Sequence, residues 1–126
     1  MRLLLDTATL IFSVKEPERL SRRAQGVLAD PRNIRELSSV SLTEIAVKAS
    51  LGKLKFSESA ARQALEDMDI HILPFLADHA FHIFRLPAHH ADPFDRQIIA
   101  QALVEKIPVV TPDRKFGLYE GLKIIW

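Results

Sequence analysis

Residues 89–102, HHADPFDRQIIAQA, set two aspartates at the head of an apolar repeat of helical period. Asp92-Pro93 starts that helix. The aspartate caps free backbone N–H groups, and the proline occupies a first turn where its missing donor costs nothing. Asp95 is the anomaly. Its spacing to Ile99 and Ala102 turns it towards the core side, where a carboxylate needs a compensating partner. A capping box would favour Glu or Gln at its position. The stretch therefore predicts a helix over 94–105 that carries an inward-facing acid.

Outward from this helix, apolar runs of strand length alternate with helical periods. Strands are expected at 3–5, 37–40, 70–73, 108–111 and 123–125, and helices at 7–14, 21–29, 41–51, 57–68 and 76–84. The continuous run Leu3-Leu4-Leu5 suits a strand buried on both faces. Gly52 suits the left-handed residue that ends the 41–51 helix. Strands alternating with helices imply right-handed crossovers and a parallel sheet covered on both sides, an α/β fold. In such sheets ligands bind beyond the carboxyl ends of the strands. Asp6 and Asp113 follow two of those ends.

The chain of 126 residues suffices for one domain with a real core, spanning 1–126. Its 48% hydrophobic and 26% charged residues are the balance of a soluble globular protein. A net charge of +1 demands no polyanion by itself, so any such site is local. Without cysteine there is neither disulfide nor thiolate metal site. The opening MRLLLDTATLIF is superficially similar to a signal peptide, but Asp6 breaks its apolar run and no small-residue cleavage site follows. No segment reaches the roughly 20 apolar residues of a membrane span. A cytoplasmic protein is expected.

Taken singly, each acid has a local explanation. Asp92 caps a helix. Ser41-Leu42-Thr43-Glu44 reads as a capping box, and Lys48 can pair with Glu44 across solvent one turn on. Asp6 can cap the helix after the first strand, and Asp113, in Thr111-Pro112-Asp113-Arg114, can serve a turn. Together they point elsewhere. If Asp6, Glu44, Asp95 and Asp113 meet in one cleft, carboxylates about 5 Å apart repel by roughly 3 kcal/mol per pair at an effective dielectric of about 20. A counter-charge is then required, and oxygen donors suit Mg²⁺ or Mn²⁺. Such an ion activates water and neutralises a phosphodiester transition state, so the chemistry suggested is metal-assisted phosphodiester hydrolysis.

Five histidines raise zinc as an alternative. His89 and His90 are neighbours, and neighbours in extended chain point to opposite sides, so both cannot easily hold one ion. No His-x-His-x-Asp or His-Glu-x-x-His spacing occurs. A basic rim would draw a polyanion to the acids, and Arg96 and Lys48 are the candidates for phosphate contact. Gly52-Lys53 lacks the upstream glycine and following hydroxyl of a P-loop.

Four blocks resemble PIN-domain ribonucleases: LLLDT at 3–7, SLTEIAVKASLGKL at 41–54, LPAHHADPFDRQIIAQA at 86–102 and VVTPDRKF at 109–116. They look most like toxins of the VapC type from bacterial type II toxin–antitoxin pairs, in order and over nearly the whole chain. The resemblance implies a three-layer α/β/α fold around a mainly parallel sheet of about four or five short strands. It implies an endoribonuclease dependent on Mg²⁺ or Mn²⁺. Asp6, Glu44, Asp95 and Asp113 match the family's acids in order, Asp92 is the extra acid of the DPFDR block, and Thr7 and Thr111 match hydroxyls that support the metal site. On that pattern Asp6, Asp95 and Asp113 hold the ion directly or through water. Glu44 adds to the site or orients the attacking water, and Arg96 or Lys48 positions the phosphate. Attack by water with departure of the 3′ oxygen would leave a 3′-hydroxyl and a 5′-phosphate. The resemblance also implies a homodimer and a cognate antitoxin that blocks the acidic groove.

Two other readings use the same residues. LLLDT after a first strand is similar to haloacid-dehalogenase-like phosphatases, with Asp6 as nucleophile. Those need a second acid two residues on, where this chain has Ala8. A non-catalytic PIN-like binding module would use the acidic pocket to dock a partner's arginine, whose fork matches carboxylates.

Overall fold

The computed structural model describes residues 1–126. Five strands, β1 (Arg2–Leu5), β2 (Ile34–Ser38), β3 (Ile70–Leu73), β4 (Val109–Val110) and β5 (Ile124–Ile125), form one sheet in the order β3-β2-β1-β4-β5. Every neighbouring pair is parallel. The helices are α1 (Thr7–Lys15), α2 (Arg22–Ala29), α3 (Ser39–Ser50), α4 (Glu58–Asp67), α5 (Ala77–Ile83) and α6 (Pro93–Glu105). No helix is long and apolar enough to cross a membrane.

The three leucines of β1 are wholly buried, as their unbroken run predicts. Side chains alternate across a strand, so they anchor different layers. Leu4 packs with Ile98, Ile99 and Ala102 of α6 and with Phe116. Leu5 packs with Leu10 of α1 and with Ala61 and Ala64 of α4, and Leu3 with Ala24 of α2. Each such leucine contributes about 1.5–3 kcal/mol by leaving water. Helices on both faces of a parallel sheet make the expected three-layer α/β/α fold.

The sheet order fixes where a site belongs. From β1 the chain builds outward to β2 and β3, then returns to the other side of β1 for β4 and β5. The gap between the carboxyl ends of β1 and β4 is therefore the topological switch point, where open α/β sheets form a crevice. Asp6 follows β1 and Thr111 follows β4.

Two elements are displaced by two residues or more from the ranges expected. The second strand is Ile34–Ser38, not 37–40. Its charged residues disguise it. Arg2 of β1 pairs with Glu36 at 2.7 Å, a diagonal cross-strand contact, and Arg35 donates to the carbonyls of Leu28, Asp30 and Met68. Because the strand ends at Ser38, helix α3 begins at Ser39 with Ser38 as its cap, two residues before the expected start. Short 3₁₀ turns at Pro17–Arg19 and Arg114–Leu118 lie in stretches left unassigned by periodicity. Gly52 adopts φ +70 after α3, the left-handed turn expected there.

Helix α6 starts as its sequence reads. Asp92 Oδ1 accepts the Asp95 backbone N–H at 3.0 Å, and Pro93 occupies the first turn. Asp92→Ala is expected to cost about 1 kcal/mol in urea unfolding, and Asp92→Ser, which keeps a capping oxygen, a few tenths at most. Equal losses in both variants would contradict the cap.

Candidate active site

The floor of the site is Asp6, only 3% exposed. Its Oδ1 accepts the Thr9 N–H at 2.8 Å and so caps α1, while its Oδ2 accepts the Thr111 hydroxyl at 2.7 Å. Thr111 Oγ1 in turn accepts the backbone N–H of Asp113 at 3.0 Å. One buried hydroxyl thus links the acid after β1 to the acid after β4. Thr9 adds a bond from its hydroxyl to the Val110 carbonyl at 2.7 Å. Thr7, also buried, donates to Ser41 Oγ at 2.9 Å and ties the start of α1 to α3.

Ser41 is therefore not the helix cap of a Ser41–Glu44 box. It is a buried residue of α3's first turn, and Glu44 lies beyond the capping positions. Glu44 is 5% exposed; its Oε2 takes Lys48 Nζ at 2.6 Å, and its Oε1 is buried with no hydrogen-bond partner. The expected solvent pair is thus one-sided: the lysine reaches water and the glutamate does not.

The rim is made by Asp95, Asp113 and a residue the sequence reading set aside, His90. Its Nε2 lies 2.7 Å from Asp113 Oδ2 and 3.2 Å from Asp95 Oδ2. His89 and His90 do diverge: His89 sets its ring edge-on to Tyr119, while His90 turns inwards against Phe116. Asp113 also serves its turn, with Oδ1 accepting the Lys115 N–H at 2.9 Å.

Arg96 is placed differently from expectation. Its Nη1 donates to the carbonyls of Pro87 and His90, at 2.9 and 3.3 Å, and its Nη2 to that of Leu86 at 3.5 Å. Those carbonyls hold the guanidinium on the loop before α6. Lys48 stays near the acids, where Glu44 and the charges of Asp92 and Asp95 hold its proton more tightly than usual.

The PIN domain sequence model matches residues 3–122. The chain belongs to the PIN domain family. No curated protein sequence matches it. Among solved structures it is similar to VapBC2 from Rickettsia felis bound to a DNA fragment from their promoter, with TM-score 0.71, 20% identity, and coverage of 98% of this chain and 97% of that one. It is also similar to DNA-bound VapBC from Salmonella typhimurium (TM-score 0.67, 22% identity, 98% and 96% coverage). A third is VapBC-5 from Mycobacterium tuberculosis, a member of the VapBC family of toxin–antitoxin systems (TM-score 0.61, 20% identity, 98% and 96% coverage). At these identities the likeness is one of fold.

In this PIN domain the acids sense one another. Burial, then the charge of Asp92, raises the Asp95 carboxyl to about 7, with Asp6 and Glu44 adding to the rise and His90 opposing it. Burial likewise raises Asp6 to about 6 against the pull of its Thr111 and Thr9 hydrogen bonds, and Asp113 adds repulsion. Carboxylates so arranged call for a cation. Oxygens of Asp95 and Asp113 lie within 4.8 Å of each other beside His90 Nε2, and the unpartnered Glu44 oxygen is a further buried acceptor. The residues present therefore fit a hard divalent ion. A mainly apolar groove of about 700 Å³, lined by Leu42, Ile45, Ala49, Phe56 and Ile72 among others, contains none of these acids, and the chemistry-bearing groups lie elsewhere.

The unread parts of the site are hydroxyls and a histidine. Thr9, Ser41 and Tyr119 carry no sequence motif. His90, two residues before the capping Asp92, was open to inspection as a loop residue beside a predicted site.

Raised carboxyl values fix the sign of the pH response. Between their ordinary values near 3.8 and the folded values of about 6 and about 7, Asp6 and Asp95 bind more protons folded than unfolded. Stability therefore falls as pH rises through that window. In chelator, the melting temperature is expected to fall between about pH 4 and about pH 7, and Asp95→Asn to shrink that fall. An equal fall in wild type and variant would contradict the shared field.

Proposed function

We propose that this PIN domain, spanning 1–126, is the toxin of a type II toxin–antitoxin pair and a metal-dependent endoribonuclease. The observation that carries the reading is the convergence of Asp6, Asp95 and Asp113 at the switch point, with Glu44 in the same electrostatic field. A PIN domain with such a cluster suits phosphodiester hydrolysis. Asp6, Asp95 and Asp113 would hold Mg²⁺, or Mn²⁺ in its place, directly or through water. When bound, the ion supplies a Lewis acid that acidifies water and offsets charge on the phosphate oxygens. Glu44, whose Oε1 is buried without a partner, would add to the metal site or orient the attacking water. Thr111 and Thr9 keep Asp6 fixed while charge shifts nearby. Lys48, beside Glu44 and 43% exposed, is the remaining candidate for phosphate contact. Attack of water oxygen on phosphorus breaks the bond to the 3′ oxygen, which takes up a proton. The products are a 3′-hydroxyl and a 5′-phosphate.

The partners proposed are RNA as substrate, a second copy of the chain in a homodimer, and a cognate antitoxin that blocks the acidic groove. The antitoxin is supported by neighbours such as VapBC-5, a member of the VapBC family of toxin–antitoxin systems. A guanidinium from such a partner matches the carboxylates bidentately. The location proposed is the cytoplasm.

Purified protein is expected to cleave single-stranded RNA with Mg²⁺ or Mn²⁺, and not in chelator. Asp95→Asn should lower the rate by about a hundredfold or more at unchanged fold, as loss of a group that acts on the transition state does. Cleavage by the variant at the wild-type rate, or by wild type in chelator, contradicts the reading.

A further inference from the structure

His90 is pinned from four sides. It is 9% exposed, and its ring stands edge-on to Phe116 with centroids 5.8 Å apart. Its backbone N–H donates to Tyr119 Oη at 2.9 Å, and its carbonyl accepts from Arg96 Nη1 at 3.3 Å. Its Nδ1 accepts the backbone N–H of Asp92 at 3.1 Å. An Nδ1 that accepts an N–H carries no proton of its own, so the ring proton sits on Nε2. That nitrogen faces Asp113 Oδ2 at 2.7 Å and Asp95 Oδ2 at 3.2 Å.

A nitrogen bearing a proton offers no lone pair to a cation, and hard cations take oxygen in preference. Yet the spacing of the three groups is that of a ligand set. We infer that His90 is a positioning residue and not a ligand: its Nε2–H, hydrogen-bonded to Asp113 and with its nitrogen 3.2 Å from Asp95, holds both carboxylates at the spacing an ion requires. The inference rests on the proposed metal site. Two carboxylates brought together repel, and a donor held between them stabilises the converged pose before any ion arrives. Arg96 and Tyr119 act one step further out, by fixing the backbone that aims the ring.

Mn²⁺ binding, measured by calorimetry without RNA, tests this. Wild type, His90→Gln, His90→Ala and Asp95→Asn are compared, with circular dichroism to confirm the fold. His90→Ala is expected to weaken Mn²⁺ by about ten- to a hundredfold, the usual cost of losing a group that orients ligands. Glutamine keeps an N–H donor at the reach of Nε2, so His90→Gln should stay within about threefold of wild type. If His90→Ala does not fold, the glutamine variant decides alone. The electron spin echo of wild-type Mn²⁺ should show no directly bound nitrogen. A bound-nitrogen signal, or glutamine binding tenfold weaker than wild type, would make His90 a ligand and overturn the inference, as would wild-type affinity in His90→Ala. Failure of wild type itself to bind Mn²⁺ overturns the metal reading of the pocket, and the inference with it. Binding without RNA cleavage overturns the nuclease assignment alone.

Discussion

A buried carboxylate must be held by hydrogen bonds, and here the backbone holds one oxygen of each aspartate that caps. Asp6 Oδ1 takes the Thr9 N–H, Asp92 Oδ1 that of Asp95, and Asp113 Oδ1 that of Lys115. Each acid is thereby fixed to the start of a helical turn. The second oxygens of Asp6 and Asp113 take Thr111 and His90. For Asp6 and Asp113, local capping therefore does not exclude a place in the proposed site. The caps aim them, and the turn or helix that each begins supplies rigidity.

This arrangement stores repulsion. Asp6 and Asp95 hold protons up to about 6 and about 7 because burial and their acidic neighbours disfavour the charged forms. The charge of Lys48 offsets part of that, and His90 opposes it at Asp95. The fold tolerates the strain because β1 is anchored on both faces by leucines with no exposed surface. Stability comes from the layers, and the crevice between β1 and β4 is where it is relinquished.

Most of the fold was legible because its signals are local. Three consecutive leucines mark the central strand, Asp92-Pro93 marks the head of α6, and Gly52 marks the end of α3. The start of β2 was hidden, since Arg35 and Glu36 read as surface until their partners across the sheet are known. The Ser41–Glu44 box failed for the same reason: a shift of two residues in where a strand stops moves a serine from cap to interior. The acids were legible as a group through Asp95, an ionisable residue on an apolar stripe. Arg96 and His90 were not. Which groups a guanidinium or an imidazole meets depends on the path of residues 86–90, and no periodicity encodes that path.

The account depends on one ion meeting acids from distant parts of the chain. Anomalous diffraction from crystals soaked in Mn²⁺ locates such an ion without reference to activity. The expected result is a peak within coordination distance of carboxylate oxygens of Asp6, Asp95 or Asp113, with His90 behind them. A peak confined to other surface acids, with these carboxylates bare, would contradict it.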